Sequence, residues 1–261
     1  MTGRSAAPDR AEPPDGTLSG RSSGRGNLSS PAEVGWMFDR ISGVYDPMNL
    51  VISAFQEPRW RRRAVAATGL RPGMAAIDVA TGTGKVAADL LSRVEPGGRV
   101  LGVDLSPRMV DRARRTFGSR PGLAFVVGDA LALPADDGAF DAATIAFGMR
   151  NLADYRAGFA EMARVVRPGG QVVCLEISRP RSRLARLMRW WFDRAVPLLG
   201  RLAGQGEAYA YLVRSVVDYP PPERIAGIMR EVGLVEVRWT GMSGGVVTIH
   251  VGTVALRETR R

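Results

Sequence analysis

The sequence predicts an α/β fold: a mostly parallel sheet wound on both faces by helices and closed at its C-terminal edge by an antiparallel hairpin. Three observations predict it. From residue 74 onward, short apolar runs alternate with amphipathic stretches, the pattern of successive βα units. A glycine-rich loop, TGTGK, follows the first apolar run, as in open sheets that bind ligands beyond the carboxyl ends of their strands. The last two runs have only the turn GMSGG between them, too short for the crossover that parallel strands need.

Taken in order, residues 1–30 are rich in Gly, Ser, Pro and Arg and nearly free of apolar side chains. Such a segment cannot bury enough surface to offset its ordering entropy and is expected to be a disordered tail. A single domain is expected over 31–258. It starts at Ser30-Pro31, an N-cap followed by proline at the first helical position. Val34, Met37, Phe38 and Ile41 then recur at helical spacing. A second short helix is expected on RWRRRAVAATG. MAAIDVA, RVLGVD, LAFVVGD, FDAATIAF and QVVCLEI read as parallel strands, with helices on KVAADLLSRV, PRMVDRARRTF and DYRAGFAEMARVV. A helical insertion over 179–222 precedes PPERIAGIMREVG and the closing strands VEVRWT and GGVVTIHVGTVA.

The bulk numbers narrow the function. A chain of 261 residues, 45% hydrophobic, can bury one large core. No run approaches the roughly 20 apolar residues that span a bilayer, and the start MTGRSAAPDR has no secretory apolar stretch, so a cytoplasmic protein is expected. Cys174 is the only cysteine, which rules out a disulfide within the chain and leaves no thiolate set for zinc; no metal is expected. The formal charge of +10 would suit an anionic partner, but Lys85 is the only lysine and every other basic residue is arginine. That bias fits base composition better than a designed surface.

The loop DVATGTGKVA (78–87) admits three ligands. A P-loop needs glycine five residues before Gly84 and a hydroxyl after the lysine; Val79 and Val86 stand there. A dinucleotide fingerprint fits Gly82, Gly84 and Ala87, with Asp104 at the next strand end to meet a ribose. S-adenosylmethionine also carries a ribose, and two features favour it. Asp78 lies just before the glycines, where a pyrophosphate would be repelled but an ammonium and a sulfonium would be attracted. Asp129 and Ala130 follow the third strand, where a carboxylate can accept from an adenine amino group. With the C-terminal hairpin, this points to the Rossmann-like, seven-stranded class I arrangement of S-adenosylmethionine-dependent methyltransferases. A nicotinamide cofactor is the alternative. Nucleic acid is not expected as acceptor: AFGMRN, not an Asp-Pro-Pro-Tyr-type tetrad, follows the fourth strand, and Cys174 lies among Val and Leu as core packing.

Three further stretches carry a resemblance. YDPMNLVISAFQEPRW (45–60), AFGMRN (146–151) and RVVRPGGQVVCLEIS (164–178) resemble the signatures of the ubiquinone/menaquinone biosynthesis C-methyltransferases, the UbiE/MenG family. The correspondence runs from about Phe38 to Thr253. It implies C-methylation of a polyprenylated quinol, a demethylmenaquinol first and a benzoquinol as the near alternative, with another small-molecule or phospholipid methyl acceptor behind them. It places cofactor contacts on Thr83, Asp104, Asp129 and Ala130, beside Asp78, Gly82 and Gly84. Three positions depart from the family: Glu57 stands where histidine is usual, Ala146 replaces a serine that contacts the cofactor, and Arg167 replaces a lysine in the second signature. Arg150 and Asn151 are the candidates for the quinol oxygens, with Arg150 stabilising a phenolate; the competing role for Arg150 is an ion pair with Asp154 one helical turn away. Tyr45, Asp46 and Asn49 would complete the pocket, Asp46 as proton acceptor. His250, the only histidine, falls where the family has one, on the last strand, where a structural role competes with a catalytic one.

Within the insertion, Leu184, Leu187, Met188 and Trp191 recur at helical spacing amid seven arginines of residues 179–202. A basic amphipathic helix with tryptophans can lie in a membrane interface or cover the domain. Peripheral contact with the inner membrane face through 179–204 is therefore an expectation. Oligomeric state is left open, a homodimer included.

Overall fold

The computed structural model describes residues 39, 50, 53, 55–178, 215–216 and 218–256. The expected tail, the stripe from Val34 to Ile41, Tyr45, Asp46 and Asn49, and the 179–204 segment lie outside them. In chain order the strands are β1 (Ala75–Val79), β2 (Arg99–Asp104), β3 (Leu123–Val127), β4 (Phe140–Ala146), β5 (Val166–Ile177), β6 (Leu234–Met242) and β7 (Val247–Val254). The helices that position the site are α1 (Glu57–Ala67), α2 (Lys85–Val94), α3 (Pro107–Phe117), α4 (Tyr155–Val165) and α5 (Pro222–Glu231).

The strands form one seven-stranded sheet in the order β3-β2-β1-β4-β5-β7-β6. All pairings among β1 to β5 are parallel, and β7 pairs antiparallel with both β5 and β6. The hairpin thus forms as expected, with its second strand inside the sheet and its first at the edge. β1 lies inside the sheet between β2 and β4, and all five of its residues, AAIDV, are buried, which is why it reads as a continuous run, not an alternating one. β5 begins earlier than QVVCLEI suggested, because Val166 pairs with Phe140 ahead of a register shift.

Helices cover both faces. One layer packs Ala87, Leu90 and Leu91 of α2 and Val110 and Ala113 of α3 against Ala76, Val100, Phe125 and Ala142. The other packs Phe159 and Met162 of α4 and Ile225 and Met229 of α5 against Ile77, Val103, Ile145 and Val172. A fully buried side chain such as Phe159 contributes about 1.5–3 kcal/mol. Helix starts are fixed locally: Ser106 accepts from the Met109 N–H at 3.1 Å ahead of Pro107, and Asp154 accepts from the Ala157 N–H at 3.0 Å, each satisfying an otherwise orphaned donor. The strand order reverses between β1 and β4, which puts a crevice at their carboxyl ends.

Candidate active site

The loop after β1 is built on left-handed backbone. Ala80 has φ 51°, Gly82 56° and Gly84 84°, a path that costs Ala80 strain and the glycines little. A Cβ on Gly84 would come within 2.8 Å of the Phe125 ring. One on Gly102 of β2 would come within 2.6 Å of Phe125 and 2.9 Å of the Thr81 hydroxyl. The strand beneath is hollowed out so that the loop can sit down on the sheet.

Two aspartates hold this loop in different ways. Asp78, 1% exposed, accepts from the Thr81 hydroxyl on one oxygen and the Thr144 hydroxyl on the other, both at 2.6 Å. The Ala87 N–H in the first turn of α2 adds to this. Burial pushes the Asp78 carboxyl up to about 7, against the pull of these hydrogen bonds. Asp78 thus acts from beneath the loop, clamping it to β4. Asp104 ends β2 and accepts from the Gly82 N–H at 2.7 Å and the Ser106 N–H at 3.0 Å. Burial raises its carboxyl too, offset in part by those two N–H groups. The Asp104 carbonyl accepts from Gly128 N–H at 3.0 Å, which ties the β2 end to the segment carrying Asp129. Asp129 folds back through the Leu131 N–H at 2.9 Å, and Ala130 beside it is buried. Thr83 is buried as well. Gly82, Thr83, Gly84, Asp104, Asp129 and Ala130 therefore follow three successive strand ends on one rim. A ribose suits the Asp104 carboxylate, and close approach of a ligand backbone suits the bare glycines.

Across the crevice, β4 is followed by another left-handed residue, Phe147 at φ 56°, whose N–H donates to the Leu175 carbonyl at 2.8 Å. The two strand-end turns press together: a Cβ on Gly148 would meet the Ala80 Cβ at 2.6 Å. A 3-10 turn over Met149–Asn151 then delivers Arg150 and Asn151. Arg150 is 5% exposed; its Nη1 donates to the Phe147 carbonyl and to Glu176 Oε1, each at 2.6 Å. Glu176 of β5 is fully buried and also accepts from the Arg150 backbone N–H at 3.2 Å and from the Ile177 N–H at 2.8 Å. The ion-pair partner of Arg150 is thus Glu176, while Asp154 caps α4.

The end of the first signature reaches the same rim. Trp60 of α1 lies with its ring centroid 6.2 Å from that of Phe147, and its indole N–H donates to the Ser243 hydroxyl at 2.9 Å. Glu57 pairs with Arg61 at 2.8 Å, and Arg61 with Asp89 of α2 at 2.6 Å, so Glu57 helps fasten α1 to the domain. The three signature stretches, distant in sequence, meet through Trp60–Phe147 and Arg150–Glu176.

His250 and Cys174 face each other in the β5–β7 register, both fully buried. The His250 Nε2 lies 3.0 Å from the Pro222 carbonyl; a carbonyl only accepts, so Nε2 carries the proton. Burial pushes its pKa down to about 4. His250 is a neutral strut between β7 and α5. Burial also raises the Cys174 thiol, consistent with core packing. Among the described residues no cluster of three or more His, Cys, Asp or Glu could hold a metal ion, and no helix is long and apolar enough to cross a membrane.

Sequence reading missed Thr81, Thr144 and Glu176. The signals were there: Thr144 and Glu176 are polar residues inside the apolar runs FDAATIAF and QVVCLEI, and a buried polar group needs a partner.

Comparison with known proteins places these features. Residues 27–254 match the model of the ubiE/COQ5 methyltransferase family. The chain is 37% identical over 228 residues to a demethylmenaquinone methyltransferase of Staphylococcus aureus (strain JH9), spanning 87% of this chain and 95% of that protein. A SAM-dependent methyltransferase from Thermotoga maritima superposes with TM-score 0.61 at 20% identity, over 84% of this chain and 99% of that one. The cyclase SpnF does so with TM-score 0.65 at 17% identity, over 90% and 100%. At such identities the structures establish the seven-stranded fold and no more. Sequence similarity over nearly the whole length goes further: the chain belongs to the ubiE/COQ5 methyltransferase family.

Proposed function

We propose that this enzyme methylates a ring carbon of a demethylmenaquinol to give menaquinol, with S-adenosylmethionine as methyl donor. The observation that carries the reading is the abutment of two strand-end turns. The loop bearing Gly82, Thr83 and Gly84 packs against the turn that presents Arg150 and Asn151, so a donor on the first lies beside an acceptor on the second. The whole-length similarity to a demethylmenaquinone methyltransferase supports the naphthoquinol as substrate.

When bound, S-adenosylmethionine supplies an electrophilic methyl and departs as S-adenosylhomocysteine. Asp104, Asp129, Ala130, Thr83 and the glycine backbone would hold it, with Asp78 bracing the loop from below. A quinol carbon beside a hydroxyl becomes nucleophilic as that hydroxyl gives up its proton. Arg150, always protonated, stabilises the phenolate that forms and is not itself the base. Asn151 steadies the acceptor's oxygens. We assign the proton to Asp46, directly or through water, and further acceptor contacts to Tyr45 and Asn49, all three outside the described residues. One carbon–carbon bond forms, the carbon–sulfur bond breaks with its electron pair left on sulfur, and one proton is released. Holding carbon, methyl and sulfur in line while excluding water can supply roughly 7–11 kcal/mol. No metal enters this scheme.

Because the acceptor's isoprenoid tail resides in a bilayer, we place the protein in the cytoplasm at the inner face of the membrane, with residues 179–204 as the contact. Flotation with anionic and neutral liposomes tests the contact; absence of binding to both removes it. The catalytic reading is tested by transfer of labelled methyl to chemically reduced short-chain demethylmenaquinone and to the corresponding demethylated benzoquinol. Label on the naphthoquinol ring is expected. Label on the benzoquinol alone would reassign the substrate, and none on either would overturn the reading.

A further inference from the structure

Glu176 is an acid in the wrong place for its strand. Val172, Val173, Cys174 and Leu175 precede it, all buried, and Glu176 is itself fully buried. A carboxylate in such surroundings persists only with strong compensation. Among the described residues its hydrogen-bond partners come from the Arg150 turn and its own strand end. Oε1 accepts from Arg150 Nη1 at 2.6 Å and the Ile177 N–H at 2.8 Å, and Oε2 accepts from the Arg150 N–H at 3.2 Å. The acid therefore grips both the main chain and the side chain of one residue. The same Nη1 is fixed from the other side by the Phe147 carbonyl at 2.6 Å, and Phe147 is held in left-handed backbone. This is more than charge cancellation: it sets where the guanidinium stands relative to the end of β4.

We infer that Glu176 is the positioning residue of the acceptor site, fixing the Arg150 guanidinium and, as its counter-charge, setting how strongly Arg150 acidifies the bound quinol. This inference rests on the proposed role of Arg150 in meeting the quinol oxygen. A bare guanidinium would acidify the phenol strongly but leave a weakly nucleophilic ring. A guanidinium shadowed by a carboxylate leaves the phenol nearer its ordinary pKa and the ring carbon more reactive. The other titratable groups around Glu176 are Cys174 on its own strand and Tyr219 ahead of α5, with His250 across from Cys174. Burial holds the thiol and the phenol protonated beyond their usual ranges and holds the imidazole neutral. None of them changes charge near neutrality; Asp78, beneath the adjoining loop, does, but it is common to all variants, so a shift of the limb between variants reports on the acceptor.

The test is the pH dependence of the single-turnover methyl-transfer rate in wild type, Glu176→Gln and Glu176→Asp, with S-adenosylhomocysteine affinity as the check on folding. Glu176→Gln is expected to bind S-adenosylhomocysteine like wild type and to lose about 10- to 100-fold in plateau rate. Its acid limb should move down by about one pH unit, since removing a negative charge near the phenolate favours it. Glu176→Asp keeps the charge but shortens the reach, so the limb stays while the rate falls about 10-fold. A merely structural acid would lower the amount of folded enzyme without moving the limb. A folded Glu176→Gln with an unmoved limb overturns the inference. If Glu176→Gln does not fold, a folded Glu176→Asp with the wild-type rate does so instead. Failure of the functional reading is distinct: wild type would then turn over no quinol, or Arg150→Lys would turn over at the wild-type rate.

Discussion

Two buried acids brace the two sides of the crevice, and they are held by opposite means. Asp78, under the glycine loop, is 1% exposed and is met by two neutral hydroxyls. Glu176, under the acceptor turn, is fully buried and is met by a guanidinium. Hydroxyls satisfy hydrogen-bonding capacity without cancelling charge, so Asp78 bears the cost of burial in its pKa, pushed up to about 7. An ion pair cancels charge but makes each partner hostage to the other. The glycine-loop side, proposed to hold the donor, is therefore a pH-linked clamp, and the Arg150 side, proposed to hold the acceptor, is an ion pair.

The comparison breaks most visibly on the acceptor side. Arg150→Met leaves a buried carboxylate without its cation and should cost about 3–5 kcal/mol of stability in urea unfolding. Adding Glu176→Leu should restore most of that stability but not activity. A small loss for the single variant would mean the pair is solvated.

On the donor side the sharper probe is pH. Because the folded pKa of Asp78 lies above its unfolded value, the folded state binds the extra proton between them, and stability falls as pH rises from about 4 to about 7. Asp78→Asn removes that dependence. The stability of wild type minus that of Asp78→Asn should therefore decline across this window, by at most roughly 4 kcal/mol, and level off above it. A flat difference would contradict the clamp's uncompensated charge. Asp104→Ala removes the acceptor of the Gly82 and Ser106 N–H groups and should weaken S-adenosylhomocysteine binding by about 2–3 kcal/mol in isothermal titration. Thr144→Val, which deletes one of the two hydroxyls on Asp78, should cost about 1–2 kcal/mol in thermal unfolding.

The fold was largely legible in the sequence because each strand and helix announces itself within its own few residues. RVLGVD, KVAADLLSRV and PRMVDRARRTF form the elements read from them, with the same bounds. β5 was read short because residues 167–170 have no partner on β4: the pairing jumps from Val166–Phe140 to Gln171–Ala142 across a register shift, and only that outlying pair carries the strand back to Val166. The placement of Gly82, Gly84, Asp104 and Asp129 was legible for the same local reason: they follow the ends of recognisable strands. The clamps were not. Thr144 lies 66 residues from Asp78, and Glu176 lies 26 from Arg150, so only the strand order brings them together. Asp78 itself was read as a ligand contact from its place before the glycines; spacing cannot tell the open side of a loop from its underside.

The central claim is that this site makes menaquinol from its demethylated precursor. The most direct measurement is the quinone profile by mass spectrometry of the native host lacking this chain, with wild type and Arg150→Lys supplied in trans. The account predicts accumulated demethylmenaquinone, cleared by wild type and not by the variant. An unchanged menaquinone pool in the deleted strain would contradict it.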